Sequence, residues 1–466
     1  MNKSNPWTAL ALLLLVCCFT AAAAASAFRL EKWEQVVKTE AGEVRVLRGS
    51  GSPSKRQGAG AGSDRTNSIH IGFIFMEPKS LFIPQYLDSS LVLFVHRGEV
   101  RVGWIYKDDL VEKQLKMGDI LHIPAGSTFY MVNTSKGQRL QVICSVDASE
   151  SLGFPPYQSF FVGGGRNPVS VLAGFHKSTL STAFNVPEEE IETILGSQTG
   201  GPIVMVTDDV AAGKDRRRGK GDRGRKGLLL DFDSEEEEEE EEQRWSWREL
   251  LENFMIGVGG GGSGDDRRNA KKGPVKSPHP YNLYDRDPDV KNKYGWSLAV
   301  DEHDYKPLKH SDIGVYIVNL TAGSMLAPHV NPRAAEYGVV LGGSGRIEVV
   351  FPNGTAAASV KVAAGDVFWI PRYFPFCQIA SRSGPMEFFG FTTSSRRNRP
   401  QFLVGARSVL TAMVGPELAA AFGVPEEILR EVVKAQSEAV IMPARPSPEP
   451  TRKEKEKEEK MERREK

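Results

Sequence analysis

His329 and Glu336 are the residues of this 466-residue chain whose types and spacing could do chemistry. An imidazole nitrogen and a carboxylate oxygen are both common ligands of transition metals. Asn331, a weak oxygen ligand at most, lies two residues after His329, and residues two apart on a strand face the same side of a sheet. Because a firm site uses three or four protein ligands, the sequence predicts no cofactor beyond a weak divalent metal held by His329 and Glu336.

Two glycine-led stretches must position these side chains. The first runs from Gly323 to Gly343 and fits the spacing G-x5-H-x-H-x4-E-x6-G, with Asn331 at the second His position. The second begins at Gly365 and fits G-x5-P-x-G-x2-H only through Gly365 and Pro371, with Phe376 at its last His position. This paired spacing resembles the cupin family, a small β-barrel that often holds a metal. The resemblance implies a barrel in which the ring of Phe376 replaces a ligand with apolar volume.

The first half of the chain repeats the barrel pattern without the ligands. Gly118–Gly126 matches the second stretch, and Phe129 takes its terminal His position. Two spare histidines, His96 and His122, lie off the ligand positions, and we interpret them as ordinary strand or rim residues. The metal-ligand positions of the His-x-His…Glu pattern can also be counted along the first half of the chain. There they fall on Pro84, Tyr86 and Leu91, none of which is a metal ligand.

A helical segment follows each predicted barrel. Ser170–Val186 aligns without a gap with Ser408–Val424, and each segment is followed by a proline and acidic residues, at Pro187 and Pro425. Proline and acidic residues in a first turn are typical of a helix start. Because barrel pattern and helical segment both recur, the chain contains an internal duplication. We therefore predict a mainly β protein of two cupin (jelly-roll-type β-barrel) domains, each followed by a helical arm and joined by a disordered acidic linker.

Composition divides the chain into five segments. Residues 1–27 have the charged start, apolar run and small residues of a signal peptide. The N-terminal cupin domain with its arm is predicted at 28–207, and the C-terminal cupin domain with its arm at 278–445. Between them, 208–277 is a charged, glycine-rich linker with an unbroken acidic run. This linker and the charged tail at 446–466 are predicted to be disordered.

Charge and hydropathy indicate whether the chain binds nucleic acid or a membrane. The 59 Lys and Arg residues balance 59 Asp and Glu residues, so no nucleic-acid partner is expected. The basic run Arg216–Arg218 in the linker is a predicted site for processing proteases. Beyond the signal peptide no stretch is long and apolar enough to span a membrane, so no membrane partner is expected after its removal.

Cysteines and glycosylation sequons suit the secretory pathway. The predicted mature chain keeps Cys144 and Cys377, one in each half. Two cysteines do not make a disulfide framework; whether they pair is open, and we favour buried thiols. Sequons begin at Asn133, Asn319 and Asn353. Asn353 lies in a Pro-Asn-Gly turn, so it is the sequon most expected to carry a glycan.

Together these features resemble the vicilin (7S globulin) seed storage family. The sequence at Pro280–Gly295, PYNLYDRDPDVKNKYG, resembles the opening of the second vicilin domain, and Gly118–Asn133 resembles the first-domain motif. The resemblance covers roughly 30–208 and 278–442. It implies a non-catalytic nutrient reservoir, a homotrimer whose helical arms clasp the neighbouring subunit, and deposition in the protein storage vacuole of seeds; otherwise the protein would be extracellular.

Two alternatives stay open from the sequence. One is a secreted cupin with a residual copper, zinc or manganese site at His329 and Glu336, acting as a binding protein or an oxidase; Cys377 would join this site only if it faced inward. The other is a binding module that uses either barrel as a cup for a small ligand, which the aromatic rings of Phe129 and Phe376 argue against. The chain contains no sequence signature of a hydrolytic nucleophile and no phosphate-binding loop motif.

Overall fold

A computed structural model describes residues 28–30, 33–48, 69–107, 109–147, 158–212, 277–396 and 398–444. The predicted signal peptide, nearly all of the linker and the charged tail lie outside the described residues. The described chain is mainly β, as the sequence predicts. None of its helices is long and apolar enough to cross a bilayer.

The described part of the first half consists mainly of strands, followed by the helices of the first arm. The strands are β1 Arg29–Leu30, β2 Trp33–Thr39, β3 Gly42–Leu47, β4 Ile69–Met76, β5 Ser80–Leu87, β6 Leu91–Arg97, β7 Val100–Tyr106, β8 Asp109–Leu115, β9 Asp119–Ile123, β10 Thr128–Asn133, β11 Leu140–Asp147, β12 Ser159–Phe161 and β13 Ile203–Met205. The helices are a 3₁₀ helix Val171–Gly174, α1 Lys177–Phe184, α2 Glu188–Ser197 and α3 Asp208–Ala212.

The second half repeats this order. Its strands are β14 Tyr281–Asn282, β15 Val290–Asn292, β16 Gly295–Val300, β17 Gly314–Leu320, β18 Ser324–Val330, β19 Glu336–Gly342, β20 Ser344–Val350, β21 Ala356–Ala363, β22 Val367–Ile370, β23 Phe376–Ala380, β24 Met386–Thr392, β25 Gln401–Phe402 and β26 Ile441–Pro443. Its helices are a 3₁₀ helix Lys306–His310, α4 Val409–Ala412, α5 Pro416–Phe422 and α6 Glu426–Lys434.

Each domain is a barrel of two antiparallel sheets. In the first domain a sheet of order β14-β9-β6-β11-β4-β3-β2 faces one of order β12-β5-β10-β7-β8, with β13 also paired to β5. In the second domain the orders are β1-β22-β19-β24-β17-β16-β15 and β21-β20-β23-β18-β25, with β26 also paired to β18. Side chains from the two sheets of each domain fill its interior, as in other small barrels.

The two domains exchange short strands. At the start of the chain, β1 pairs with β22 of the second domain, and Phe28 beside it is buried in the second barrel's core. After the linker, β14 pairs with β9 of the first domain, and the Asn282 side chain donates a 2.7 Å hydrogen bond to Asp119. The division predicted from composition therefore omits a short strand that each domain receives from the other half.

The larger sheets of the two domains pack against each other through a continuous apolar layer. Val92, Phe94 and Ile120 of the first domain meet residues of the second that include Val315 and Phe389. These side chains are almost fully removed from water, so their burial drives the two domains together.

The helical arms carry apolar side chains that the described part of the chain leaves exposed. Ser408 begins the second arm, and its hydroxyl accepts a hydrogen bond from the backbone of Thr411, as an N-cap does. Leu429 of α6 is buried, but Phe422 and Val432 remain 57% and 68% exposed. The duplicated arms are thus present as predicted, and their outer faces are apolar. Similarly exposed in the two arms are Phe175, Phe184, Ile194, Met413 and Ile428.

Candidate metal centre in the second barrel

His329 lies near the end of β18, inside the second barrel. It is 2% exposed, and its Nδ1 donates a 2.8 Å hydrogen bond to the carbonyl of Ala327. Phe376 is its partner on β23, and the two rings lie 4.1 Å apart, while the ring of Phe402 lies 5.2 Å away. Burial lowers the pKa of His329 to about 4. The residue is therefore a neutral imidazole wedged between aromatic rings.

Glu336 opens β19 and holds a carboxyl that is already occupied by hydrogen bonds. Asn331 donates to its Oε2 at 2.8 Å, and Gln378 donates to its Oε1 at 3.2 Å. Asn398 in turn donates to the Asn331 Oδ1 at 3.0 Å. Burial raises the pKa of Glu336 to about 7, although these donors and the nearby Tyr316 oppose that rise. The carboxyl is thus the centre of a buried amide network.

The residues predicted to hold a metal do not form a ligand set. No hydrogen bond joins His329 to Glu336, and within the part of the chain that the structure describes no group of three or more His, Cys, Asp or Glu could hold a metal. Asn331 turns its amide nitrogen to Glu336, and a nitrogen that donates a hydrogen bond does not bind a cation. The geometry supports a packed interior rather than a metal cage.

Cys377 lies on the other face of β23 from Phe376. Its Sγ is 4.0 Å from Glu348, and its partner across the ladder is Glu348 as well. Burial raises the pKa of the Cys377 thiol to about 12. Cys144 of the first barrel is also a buried free thiol. The two cysteines are unpaired, and Cys377 does not join His329.

The first barrel contains a small apolar cavity of about 30 Å³ beside Phe129. Gln85, not Pro84 or Tyr86, lines it, because the pairing of β5 with β10 shifts by one residue between Phe82 and Gln85. Such a bulge moves the following side chains to the opposite face. Counting back along the sequence therefore placed the first two positions on the wrong side of the strand. Sequence reasoning missed Gln85 and Cys144, which also lines the cavity.

His122 is a strand residue, as predicted, but it is buried. It occupies β9, is 1% exposed, and faces the second domain, where its ring lies 6.1 Å from that of His310. His96 is half-buried on β6. The sequence carries no signal for the burial of His122, because the covering residues come from the other half of the chain.

The three sequons differ in their access to solvent. The Asn133 side chain is fully buried and donates hydrogen bonds to the carbonyls of Met76, Glu77 and Gln138, so the fold leaves no room for a glycan there. Asn319 is half-buried on β17. Asn353 is exposed in its turn, where its Oδ1 accepts a 2.8 Å hydrogen bond from the Thr355 hydroxyl. The prediction of a glycan on Asn133 is therefore wrong for the folded protein. Glycosylation of Asn353 and Asn319 stays a prediction.

Comparisons with known proteins agree with this architecture. The family model "Cupin" matches residues 63–191 and 281–430. A vicilin-like seed storage protein of Arabidopsis thaliana is 49% identical over 427 residues, which cover 89% of this chain and 80% of that protein. The crystal structure of hazelnut (Corylus avellana) vicilin has a TM-score of 0.70 at 23% identity and covers 90% of this chain and 100% of its own.

A second vicilin structure shows the same fold. It comes from Solanum melongena, has a TM-score of 0.71 at 20% identity, and covers 90% of this chain and 98% of its own. Two barrels of this topology, each matched by the family model, define a duplicated cupin protein. The chain belongs to the cupin family and, within it, to the vicilin-like seed storage proteins. It is a storage globulin, as the sequence predicts.

Proposed function

We propose that this storage globulin is a non-catalytic nutrient reservoir that assembles as a homotrimer through its helical arms and is deposited in protein storage vacuoles. The observation that carries the absence of catalysis is the hydrogen-bonded state of Glu336. Asn331 and Gln378 both donate to its carboxyl, so the only acidic ligand candidate of the second barrel is committed to protein donors. A cupin oxidase needs that carboxylate free for a metal.

The exposed faces of the arms support assembly with further copies of the chain. Phe422 of α5 and Val432 of α6 are more than half exposed, and large exposed apolar side chains of this kind suit protein–protein contacts. The near-zero net charge of the chain also favours association. A second copy presents the same apolar faces, so the arms can be covered without any other partner.

Two sequence features support entry of the chain into the secretory pathway and its cleavage by proteases. The signal peptide predicted at 1–27 sends the chain into the secretory pathway, and the run Arg216–Arg218 offers basic residues to processing proteases. The exchanged strands β1 and β14 add contacts between the two halves that do not depend on the connecting linker.

The cavity of the first barrel gives little support to a ligand-binding function. The Solanum melongena structure is described as having different anionic ligands in structurally similar pockets. In this chain the residues that line the cavity include no basic side chain, so an anion would lack a counter-charge. Its volume suits one or two water molecules rather than a metabolite.

Metal content and mass of the purified mature protein test the proposal together. We expect the mass of a trimer by light scattering and a metal content that the substitution His329→Ala leaves unchanged. One equivalent of copper, zinc or manganese that disappears in His329→Ala would show a working site in the second barrel and contradict the non-catalytic role. A monomeric mass would contradict the assembly.

A further inference from the structure

The interface between the two domains contains a pair of histidines, His122 and His310, that is separate from the candidate site in the second barrel. His122 of β9 and His310 at the end of the 3₁₀ helix face each other with ring centroids 6.1 Å apart and planes 29° from parallel. They come from different halves of the chain and lie in the first and second domain, respectively. Neither takes part in the barrel positions discussed above.

The buried member of this pair lacks a hydrogen-bond partner. His122 is 1% exposed, and within the described residues its Nε2 has none. Nearly all buried polar side-chain atoms in proteins are satisfied by protein, water or an ion. An orphaned imidazole nitrogen beside a second imidazole therefore indicates that a further group belongs there.

A second buried polar atom with this property belongs to Tyr305. Tyr305 is 7% exposed and immediately precedes the 3₁₀ helix. Its hydroxyl lies beside the backbone of His122 but makes no hydrogen bond of ordinary geometry among the described residues. The domain interface thus contains two buried, unsatisfied atoms, on His122 and Tyr305, and the exposed imidazole of His310.

We propose that His122 and His310 form a binding site for a borderline transition-metal cation such as Zn²⁺ or Cu²⁺, completed by the Tyr305 hydroxyl or water. Imidazole nitrogen is a preferred ligand of these ions. With metal–nitrogen bonds of about 2.0–2.1 Å, two imidazoles on one ion have centroids roughly 5–6.5 Å apart, and the observed separation falls in this range. His310 is exposed, so the ion can reach the site from solvent and a small rotation of that side chain can complete the geometry.

The electrostatic surroundings favour the neutral ligand state. Burial, with a smaller effect of His310, lowers the pKa of His122 to about 4. The imidazole therefore stays unprotonated, and able to bind metal, well into the acidic range. A metal held here would tie the two domains together. This role is independent of storage and goes beyond the function proposed above.

Metal titration of the full mature protein, after removal of bound metal with a chelator, tests the site. We expect calorimetry with ZnCl₂ or CuSO₄ to show one equivalent bound by the unsubstituted protein. His310→Ala should lower the affinity at least about tenfold, which corresponds to about 1.4 kcal/mol. His303→Ala is the matched control, because His303 is an exposed histidine on the same segment that is paired with Asp301. His329→Ala should also bind as the unsubstituted protein does.

A spectroscopic readout adds a test that does not depend on affinity. The Cu²⁺ form should show two coordinating imidazole nitrogens by electron paramagnetic resonance, and one in His310→Ala. His122→Gln, checked for folding by circular dichroism, should give the same loss. Unchanged binding in His310→Ala, equal loss in His303→Ala, or no binding at all would overturn the site. None of these results would bear on the trimeric mass or on storage.

Discussion

Phe94 of the first domain stacks on Phe389 of the second, with ring centroids 3.9 Å apart and planes 9° from parallel. Both rings are fully buried. They come from β6 and β24, in different halves of the chain, and both belong to the apolar layer between the larger sheets. The two domains therefore share a core, and their stabilities should be coupled.

Truncating this stack should weaken the whole molecule. We expect Phe94→Ala to lower the free energy of unfolding by about 3–5 kcal/mol, because a buried Phe loses its transfer energy and leaves a cavity. Urea denaturation monitored by circular dichroism measures the loss. Phe160→Ala is the control, since Phe160 is 45% exposed and should cost far less. Equal losses for the two variants would contradict a shared core.

The buried carboxyl of Glu336 should make the stability of the protein depend on pH. The pKa of Glu336 in the folded protein is about 7, raised from an ordinary value of 4.5. The folded state therefore binds more protons than the unfolded state between these values, and this carboxyl makes the protein less stable as pH rises from about 4.5 to 7. Glu336→Gln should be more stable than the unsubstituted protein by a few kcal/mol at pH 8, since each pKa unit corresponds to about 1.4 kcal/mol.

Denaturation at several pH values measures this effect. The difference between Glu336→Gln and the unsubstituted protein should shrink towards zero near pH 4. Glu417→Gln, a substitution of an exposed glutamate in α5, serves as the control and should show no such difference. A Glu336→Gln variant that is less stable at pH 8 would mean that the ionised carboxyl stabilises the folded protein, as it would in a metal site.

Because β1 pairs with the second domain, we expect residues 28–30 to stabilise that domain. Phe28 packs in the core of the second barrel, and its carbonyl accepts a 2.9 Å hydrogen bond from Trp369. Phe28→Ala should lower the free energy of unfolding by about 3 kcal/mol or more. Thermal unfolding followed by Trp fluorescence measures the change, with Val36→Ala on an exposed site of β2 as the control. No loss of stability in Phe28→Ala would show that β1 does not belong to the second sheet.

Substitutions in the helical arms should disrupt the proposed trimer. Charged side chains at the exposed apolar positions, as in Phe422→Asp and Val432→Asp, would be costly to bury in an interface but harmless to a single chain. Light scattering should show a shift from trimer to monomer, while circular dichroism stays unchanged. Glu431→Gln on the same helix is the matched control and should remain trimeric. A trimer that survives both apolar substitutions would place the interface elsewhere.

Sequence patterns predicted the barrels and arms because these depend on local spacing. The glycine at 365 and the proline at 371 mark a turn and a strand end, and both fall as expected around β22. The duplicated arms were visible because Ser408–Val424 aligns with its counterpart. These features need only neighbours in the chain to be recognised.

Contacts between distant segments could not be predicted in this way. The two-residue strand β1 has no periodicity of its own, and its partner lies in the other domain. The bulge between Phe82 and Gln85 shifts the face of a strand without a sequence signal. Likewise, Asn133 reads as an ordinary sequon, and only the fold shows that three carbonyls hold its amide. His329 and Glu336 lie buried on neighbouring segments of the second barrel, but the amide network around Glu336 could not be predicted from the sequence.

Quantitative mass spectrometry of the protein in maturing and germinating seeds tests the central claim, a nutrient reservoir, most directly. Peptides from 28–207 and 278–445 should accumulate together in isolated storage vacuoles during maturation and be depleted during germination. A low, constant amount outside these vacuoles, or persistence after the seedling is established, would contradict storage as the function of this chain.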